Sequence, residues 1–430
     1  MTKTVYAAMV ADMLHAGHIN IINKAKELGE VTVGVLTDAA VASYKRLPFQ
    51  RFEQRKAVIE SIAGIKRVVP QETLSYRKNL LELRPDYVVH GDDWRMPEHA
   101  WVRQEAIDTL KQWGGQVIEV PYTPGVSSTL FHEAMREQGV LVKFRQERLR
   151  RLVESKPIVR VIEVHNALSA LIAEKARVDR REFDALWSSS LTDSIARGKP
   201  DIEVVDTDAR LSTIAEIFEA TPKPLIYDGD TGHSAERVYY MAKALDRCGV
   251  SALCIEDKMG NKRNSLLGNR VLQEQAPAKD FCARIRAAKS AANGGSLMVF
   301  ARIESLVLGK PVDDALERAR AYCEAGADAI LIHSISSGPE GVFQFAQAMK
   351  REIPNVPIAV VPTTFNTTYE HDLIEHGINI VIYANQLMRA AYPAMVKAAG
   401  DILANQRSAE LDSYCAGTAE LLSLFPGPSL

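Results

Sequence analysis

The sequence predicts an α/β protein with two domains, a Rossmann-like parallel sheet followed by a (β/α)8 barrel. The chain has 430 residues, a length that suits two or three domains. In its first 140 residues, five apolar, strand-like runs alternate with helical patterns, which is typical of a doubly wound parallel sheet. Eight further runs follow, in a length close to the ~250 residues of a (β/α)8 barrel.

The first domain, residues 1–140, is expected to bind its ligand beyond the carboxyl ends of its strands, as open parallel sheets do. Its strand-like runs are, in order, VYAAMVA, VTVGVLTD, KRVVPQ, DYVVHGDD and QVIEVPY. A helical pattern from Gly17 to Leu28 separates the first two runs. The polar residues just before this pattern therefore lie at the entry of a helix.

A linker helix, residues 141–157, is predicted between the domains by the basic stretch LVKFRQERLRRLVESKP, which has helical spacing and ends at a proline. We expect its charged face to be solvated, as most charge runs are. The alternative is a surface for phosphate or nucleic acid.

The second domain, residues 158–430, contains eight strand-like runs, and each of them ends in polar residues. The runs are VRVIEVHN, FDALWSSS, PLIYDGD, VSALCIED, LMVFARIES, DAILIHS, PIAVVPTT and INIVIYAN. Active sites of (β/α)8 barrels lie at the carboxyl ends of the strands. The polar ends of these runs therefore form a candidate site.

Composition and charge indicate a cytoplasmic protein without nucleic-acid or membrane partners. The net charge is −2, and no run of 18 apolar residues predicts a membrane span. The apolar N-terminus is broken by Asp12 and His15, which favours a buried strand over a signal peptide. The five cysteines form no CxxC pair and are expected to be reduced thiols.

The stretch DMLHAGHIN places His15 and His18 at the entry of the first helix. Free amide groups at a helix N-terminus suit a phosphate, and Gly17 lets a ligand approach the backbone. Two imidazoles there can donate hydrogen bonds to phosphate oxygens. A metal site with Asp12, or a purely structural pair, remains an alternative.

Three motifs in the first domain, LHAGH, HGDDW and TPGVSST, together resemble the cytidylyltransferase branch of the nucleotidyltransferases. The resemblance implies a site for CTP, with Mg²⁺ bridging the triphosphate and His15 and His18 catalytic on its phosphates. The other residues that it implies near the nucleotide are Lys45, Arg46, Arg55, Asp92, Asp93, Trp94, Ser127, Ser128 and Thr129. Tyr122 replaces the arginine that usually opens the last motif, which leaves the acceptor open.

Two strand ends of the second domain carry carboxylates, in YDGDTGH and IEDKMGNKRNS. Asp228, Asp230, Glu256 and Asp257 are hard oxygen ligands that suit Mg²⁺. The polar loop after Asp257 contains Gly260 and has little apolar surface. We expect this loop to act as a lid that is open when no ligand is bound and closes over substrate.

Residues 158–420 resemble the phosphoenolpyruvate mutase and isocitrate lyase superfamily, in EVHNALSALIAEKA, LWSSSLTDS and EDKMGNKRNS. The mutases read EDKxxPKxNS, the lyases carry a cysteine that this loop lacks, and Asn264 favours a mutase over a phosphonopyruvate hydrolase. The resemblance implies Mg²⁺ bound directly by Asp228, with the other three carboxylates acting through water. It also implies substrate-binding and catalytic roles for Trp187, Ser189, Ser190, Leu191, Asp201, Lys262, Asn264, Ser265, Arg302 and His333.

The two resemblances together imply a fused cytidylyltransferase and phosphoenolpyruvate mutase of fosfomycin-type phosphonate biosynthesis. Such an enzyme isomerises phosphoenolpyruvate to phosphonopyruvate and transfers CMP from CTP to a phosphonate, with 2-hydroxyethylphosphonate as the expected acceptor. 2-Aminoethylphosphonate and hydroxymethylphosphonate are alternatives. The first domain could instead be a nucleotide-binding regulatory module, and the barrel a hydrolase or lyase. The resemblance also implies a homo-oligomer that forms through the barrel.

Overall fold

The computed structural model describes residues 2–97, 99–121, 123, 142–260, 262–292 and 296–425. Its first part is a five-stranded parallel sheet in the order β3-β2-β1-β4-β5. The strands are β1 (Thr4–Met9), β2 (Glu30–Leu36), β3 (Ile65–Gln71), β4 (Tyr87–Gly91) and β5 (Gln116–Val120). The helices are α1 (Ala16–Leu28), α2 (Asp38–Ala42), α3 (Phe52–Glu60), α4 (Arg77–Leu83) and α5 (Ala100–Leu110).

Alternation along the strands builds an apolar core on each face of this sheet. In β1, Val5 belongs to one buried cluster and Tyr6 to the other. Successive side chains of a strand point to opposite faces, so both faces need a covering layer of helices. The doubly wound sheet predicted from the sequence is confirmed, and the chain leaves β1 directly into the histidine motif.

The second part is a closed barrel of eight parallel strands, as the sequence predicts. These strands are β6 (Val159–Glu163), β9 (Ala185–Ser188), β10 (Leu225–Asp228), β11 (Ala252–Glu256), β12 (Met298–Ile303), β13 (Ala329–Ile332), β14 (Ile358–Val360) and β15 (Ile380–Tyr383). A short antiparallel hairpin that the sequence reading missed, β7 (Arg177–Val178) with β8 (Arg181–Glu182), precedes β9.

Helices surround the barrel, and side chains that alternate along the strands fill its interior. The helices are α7 (Ala167–Lys175), α8 (Ser190–Ala196), α9 (Thr207–Ala220), α10 (Ala235–Cys248), α11 (Ala278–Ala291), α12 (Val312–Glu324), α13 (Glu340–Glu352), α14 (Glu370–Glu375), α15 (Gln386–Asn405) and α16 (Thr418–Leu424). Val161, Trp187, Cys254 and Phe300 are buried in the interior cluster. The polar strand ends therefore sit above a packed floor rather than a pore.

The linker region contains helix α6 (Val142–Ser155), but the prediction that its charged face is solvated is wrong. Arg145, Arg148 and Arg151 are buried. Leu149 and Leu152 pack into the interior cluster beside residues that begin the barrel strands. The helix covers the amino-terminal face of the barrel, so its arginines lie between protein surfaces and not in water.

Among the described residues, no helix combines the length and the apolar character that a membrane span requires. All five cysteines are free thiols, and Cys254 lies inside the barrel.

Two candidate active sites

Backbone amides hold both imidazoles of the histidine motif. Helix α1 begins just after His15, whose Nδ1 accepts a hydrogen bond from Gly17 N at 3.2 Å. His18 Nδ1 accepts one from His15 N at 3.4 Å, and the two ring centroids are 4.0 Å apart. Since Nδ1 is an acceptor in both rings, a neutral imidazole carries its proton on Nε2. Each ring can therefore donate one hydrogen bond from Nε2.

Both histidines are neutral at ordinary pH. Burial lowers the pKa of His15. Burial, together with the neighbouring charges of His15 and Lys45, lowers the pKa of His18 to about 4. The pair therefore presents neutral hydrogen-bond donors beside the positive end of the α1 dipole, an arrangement suited to a phosphate oxygen.

The third motif begins beside this helix terminus. Asn20 Nδ2 donates to Thr123 Oγ1 at 3.0 Å, and a Cβ at Gly17 would lie 3.8 Å from Thr123 Cβ and 3.0 Å from His15 Cε1. A larger residue at position 17 would crowd the imidazole. Ser127, Ser128 and Thr129, and also Tyr122, lie outside the described residues.

The Asp12 carboxylate forms hydrogen bonds to backbone amides rather than acting as a metal ligand. Its carboxylate oxygens accept hydrogen bonds from Phe49 N at 2.9 Å and Gln50 N at 3.1 Å, and its side chain is buried. Within the described ranges, no three His, Cys, Asp or Glu side chains are arranged to hold a metal ion. The metal alternative for the histidine pair therefore has no structural support.

Three residues predicted to bind the nucleotide have partners within the protein in this structure. Arg55 is fully buried and pairs with Asp38 at 2.6 Å. Arg46 reaches the barrel, where Glu174 lies at 2.7 Å. Trp94 is buried, and its Nε1 donates to Glu119 Oε1 at 2.8 Å.

Lys45, Asp92 and Asp93 keep positions compatible with the prediction. Lys45 and Asp93 are exposed and Asp92 is half-buried. Lys45 acts electrostatically on His18. Arg46, Arg55 and Trp94 thus have intramolecular partners, whereas Lys45, Asp92 and Asp93 are at least partly accessible.

In the barrel, the predicted residues gather at the carboxyl ends of the strands. Parallel register aligns Glu256 of β11 with Arg302 of β12. Arg302 donates from Nε to Glu304 Oε1 at 2.5 Å, lies 3.2 Å from Glu256 and contacts Ser265 Oγ at 2.8 Å. His333 Nδ1 is 3.0 Å from Arg302 Nη2. A cation, an imidazole and a hydroxyl therefore converge at one position.

The charge balance around Arg302 depends on groups that the sequence reading did not assign. Glu304 accepts from Ser265 Oγ at 2.8 Å, and Lys258 lies 3.4 Å from Glu304 and 3.5 Å from Glu256. Burial raises the pKa of Glu256 to about 7, and Arg302 and Lys258 only partly offset this effect. Lys258 belongs to the EDK motif, so its place in the site could have been predicted from the sequence.

The lid is closed over the carboxylates, so the expectation of an open lid is wrong for this conformation. Lys262 is buried, contacts Asp230 and Ser190 Oγ, and pairs with Asp201 at 2.9 Å. Asn264 Nδ2 donates to the same Asp201 at 2.8 Å. These ionic contacts replace the apolar packing that the loop lacks. Asn261 lies outside the described residues.

The predicted carboxylate cradle follows β9. Ser190 begins α8, and both its N and its Oγ donate to Asp228 Oδ2, at 3.3 and 3.0 Å. Ser189 is buried and Leu191 half-buried beside it. The Trp187 side chain lies inside the barrel below this level. In this conformation, the Ser190 amide is therefore occupied by Asp228.

Asp257, which is predicted to be a metal ligand, is hydrogen-bonded by groups of the protein in this structure. Its carboxylate accepts from Glu304 N at 2.9 Å, Tyr322 OH at 2.8 Å and Gln275 Nε2 at 2.7 Å. The side chain is completely buried, and burial raises its pKa to about 6. It ties the loop to neighbouring elements and does not share the cluster with Asp228.

The three remaining carboxylates are of the chemical type that binds Mg²⁺, but in this closed conformation they are not arranged around one ion, and Lys262 lies against them. Burial tends to raise the pKa of Asp228, but Lys262, Arg302 and Arg210 outweigh it and lower the pKa. Asp230 Oδ1 lies against the Lys262 ammonium group, and the two oxygens of Glu256 lie 3.5 Å from Lys258 and 3.2 Å from Arg302. Hard carboxylate oxygens are the ligands that Mg²⁺ prefers, so the type of donor fits the ion although cations of the protein now occupy it.

Arg210 is a supporting residue that no sequence signal revealed. From α9, its guanidinium donates to Asp193 Oδ2 at 2.7 Å, to Asp228 O at 2.5 Å and to Ser188 O at 2.9 Å. It fixes the ends of β9 and β10 relative to each other. An arginine in a helical pattern normally predicts a solvated face, so its burial was not foreseeable.

Two family models match the chain, each over one of its parts. The model described as phosphoenolpyruvate phosphomutase matches residues 149–403, and the one described as cytidylyltransferase-like matches residues 10–134. The chain is similar to phosphoenolpyruvate phosphomutases of Streptomyces hygroscopicus (35% identity over 65% of this chain and 86% of the relative) and Tetrahymena pyriformis (33%, 64% and 89%).

Solved structures agree with these matches. A phosphoenolpyruvate phosphomutase from Streptomyces platensis subsp. rosaceus superposes with a TM-score of 0.60 at 36% identity, covering 64% of this chain and 93% of that one. A phosphonopyruvate hydrolase in complex with oxalate and Mg²⁺ gives 0.59 at 30% identity, covering 65% and 94%.

Proposed function

The chain belongs to the phosphoenolpyruvate phosphomutase family and carries a cytidylyltransferase-like domain, and from this premise we propose two reactions. The barrel isomerises phosphoenolpyruvate to phosphonopyruvate. The first domain transfers CMP from CTP to a phosphonate, most favourably 2-hydroxyethylphosphonate, and releases pyrophosphate. Together the two reactions place the enzyme in phosphonate biosynthesis of the fosfomycin type. We propose domain limits of 1–140 and 158–430, joined by residues 141–157.

The convergence of Arg302, Ser265 and His333 carries the mutase proposal. In this reaction the bond from phosphorus to the enol oxygen breaks and a bond from phosphorus to carbon 3 of the same molecule forms. The migrating group is loose and anionic, so fixed donors around it lower the barrier. Arg302 and His333 are the donors, and Ser265 and Asn264 complete the contact from the lid side.

A metal ion would support the same reaction by adding positive charge. Asp228 would hold Mg²⁺ directly, with Asp230 and Glu256 acting through water, once Lys262 withdraws from them. The ion supplies positive charge to the substrate oxygens. The Ser190 and Leu191 amides at the start of α8, with Ser189 beside them and Trp187 below, would orient the substrate carboxylate once Asp228 releases the Ser190 amide.

Closure of the lid makes the reaction an isomerisation rather than a hydrolysis. Water that reached the migrating phosphoryl group would give pyruvate and phosphate. Lys262 and Asn264, both anchored on Asp201, hold the loop down. The similar phosphonopyruvate hydrolase keeps hydrolysis as the second candidate function of the barrel.

The neutral histidine pair carries the CMP-transfer proposal. A phosphonate oxygen attacks the α-phosphorus of CTP, and the bond to the leaving pyrophosphate breaks. The Nε2 protons of His15 and His18 stabilise charge on the phosphate oxygens, and Lys45 neutralises the triphosphate. Mg²⁺ bound together with CTP would be held mostly by the nucleotide itself. Asp92 and Asp93 would lie near the nucleotide, and Ser127, Ser128 and Thr129 near its phosphates.

One phosphorus NMR experiment tests both reactions. The full chain with phosphoenolpyruvate and Mg²⁺ should give a phosphonate resonance. In the reverse direction, phosphonopyruvate should give the resonance of phosphoenolpyruvate. Pyruvate and phosphate as the sole products would identify a hydrolase. With CTP, pyrophosphate should appear only when an acceptor is added from a panel of 2-hydroxyethylphosphonate, 2-aminoethylphosphonate and hydroxymethylphosphonate. CTP binding without pyrophosphate for any acceptor would identify a regulatory nucleotide module.

We also propose that the barrel domain self-associates. Helix α15 carries exposed apolar side chains, among them Tyr392, Met395 and Leu403. An apolar helix face of this kind marks an interaction surface. Light scattering on the full chain should give at least the mass of a dimer. A monomer at micromolar concentration would contradict this assignment.

A further inference from the structure

The loop between α2 and α3, residues 43–51, contacts both domains, and we name it the Lys45 loop. On one side it is fixed to the nucleotide domain, because Asp12 accepts the amides of Phe49 and Gln50. Asp12 is three residues from His15. The position of the loop is thereby tied to the start of the histidine motif.

On its other side, the same loop is anchored to the amino-terminal face of the barrel. Arg46 Nη2 pairs with Glu174 at 2.7 Å and with Glu182 at 3.6 Å. The next residue, Leu47, is 1% exposed and belongs to the interior cluster of the barrel together with Leu149. Side chains of consecutive residues thus insert into the second domain.

Helix α6 closes this contact from the side. Arg151 Nη1 donates to Phe49 O at 2.9 Å, and the rings of Phe49 and Phe144 are 4.4 Å apart between centroids. The loop is therefore held by the barrel and its preceding helix along most of its length.

Lys45 behaves differently from its neighbours in the loop. Its side chain is exposed, forms no ion pair within the described residues and acts electrostatically on His18. Arg46 is paired with the barrel, whereas Lys45, one residue before it in a loop that is fixed to Asp12, has no partner there among the described residues. The ion pair of Arg46 consequently limits the positions that the ammonium group of Lys45 can reach.

We propose that Arg46 is a positioning residue for CMP transfer, because its ion pair with Glu174 and Glu182 of the barrel holds Lys45 toward the triphosphate. This inference rests on the proposed role of the first domain. It gives the barrel a second task, as the support of a loop in the neighbouring active site. The carboxyl-terminal face of the barrel, with the mutase site, is not involved.

The barrel tolerates the loss of Arg46, which makes the inference testable. Glu174 and Glu182 keep Lys223, whose Nζ lies 3.8 and 3.7 Å from them, and Glu174 keeps the Thr221 hydroxyl at 2.7 Å. Removing Arg46 therefore leaves no unpaired buried charge. The mutase rate of Arg46→Ala should equal that of the wild type and serves as an internal measure of folding.

The experiment compares the CTP dependence of two alanine variants of the full chain. Arg46→Ala should raise KM for CTP about tenfold with kcat within threefold, because Lys45 binds the triphosphate in both the ground and the transition state. Arg51→Ala is the matched control in the same loop. Its pair with Glu154 at 3.2 Å is exposed, with 48% and 51% of the side chains accessible. This variant should stay within twofold of the wild type.

A double variant tests whether Arg46 acts through the barrel. Glu174→Gln should raise KM for CTP, and Arg46→Ala combined with Glu174→Gln should add little to Arg46→Ala alone. Arg46→Lys should restore part of the affinity. Additive effects of the two changes, or a parallel loss of mutase and transfer activity in Arg46→Ala, would overturn the inference.

Calorimetric titration with CTP separates this inference from the proposed function. The wild type could bind CTP, and Arg46→Ala bind CTP more weakly, while the wild type transfers CMP to no phosphonate. This result would overturn the proposed function alone. Equal CTP affinity of Arg46→Ala and wild type, or no CTP binding by the wild type, would overturn the positioning role.

Discussion

The two sites hold their polar groups in opposite ways. In the first domain, the imidazoles of His15 and His18 are fixed by backbone amides within one helical turn and remain neutral. In the barrel, Glu256 at the end of β11 and Arg302 and Glu304 at the end of β12 are fixed by one another's charges. One site is local and neutral, and the other is assembled from distant residues and highly charged.

This difference determines how each site responds to change. A neutral donor that is held by the backbone can be removed without leaving a buried charge behind. Removing a member of the charged network has a larger cost, because its partners are then buried charges without an opposite charge beside them. The predictions below test the contrast, from the largest expected effect to the smallest.

Arg302→Ala should abolish mutase activity, by about 10³-fold or more, and should also destabilise the barrel. Glu256 and Glu304 would lose their nearest cation, at a cost of about 3–5 kcal/mol. Mutase assays and thermal unfolding measure the two effects, with CMP transfer as the control for the first domain. An active, fully stable variant would contradict the charged-network description.

His18→Ala should lower CMP transfer by about 10²–10³-fold, the loss typical of one oxyanion-stabilising donor. The mutase rate should be unchanged, since the imidazole belongs to the other domain and its loss leaves no buried charge. Pyrophosphate release and phosphonate formation are measured on the same preparation. Loss of both activities in a folded variant would show that the two sites are not separate.

Asn264→Ala should reduce mutase activity by about 10–100-fold and divert part of the flux to pyruvate. The change removes the hydrogen bond to Asp201, which is one of the contacts that stabilise the closed lid. A coupled pyruvate assay detects the diversion, and the ratio of pyruvate to phosphonate is the informative quantity. A proportionate fall of both products would mean that Asn264 has no part in excluding water.

Ser190→Gly should make the lid open several-fold more readily. The hydroxyl contacts Lys262 and donates to Asp228, and a hydrogen bond of this type contributes about 1 kcal/mol. Limited proteolysis within residues 258–265 measures opening. Ser189→Ala is the control, because the Ser189 side chain makes no cap hydrogen bond. Equal cleavage of Ser190→Gly and wild type would remove Ser190 from the closure.

The His18 imidazole should stay neutral at pH 5.5, the smallest effect of the series. Its pKa is lowered from 6.5 to about 4. As pH falls from about 6.5 to 4, the unfolded chain takes up the proton first, so stability declines across that window. NMR titration of the ring resonance, assigned with His18→Gln, provides the measurement. A midpoint near 6.5 would show an exposed ring.

The sequence by itself determined both folds and most of the residues that meet at the barrel site. Strand alternation and the rule that parallel strands end at one edge were sufficient to bring Asp228, Glu256, Arg302 and His333 together. The histidine motif was equally readable, because its contacts span only two or three residues. Local spacing determines geometry of this kind.

Only the tertiary structure decided which charged groups face a ligand and which are used internally. Arg46 meets Glu174 across 128 residues, and Arg55, Trp94 and Asp257 likewise find partners inside the protein. The basic helix α6 is buried for the same reason. The strength of an ion pair depends on the distance between the charges in space and on their burial. A sequence pattern contains neither quantity. It therefore cannot show which of several cations pairs with a given carboxylate.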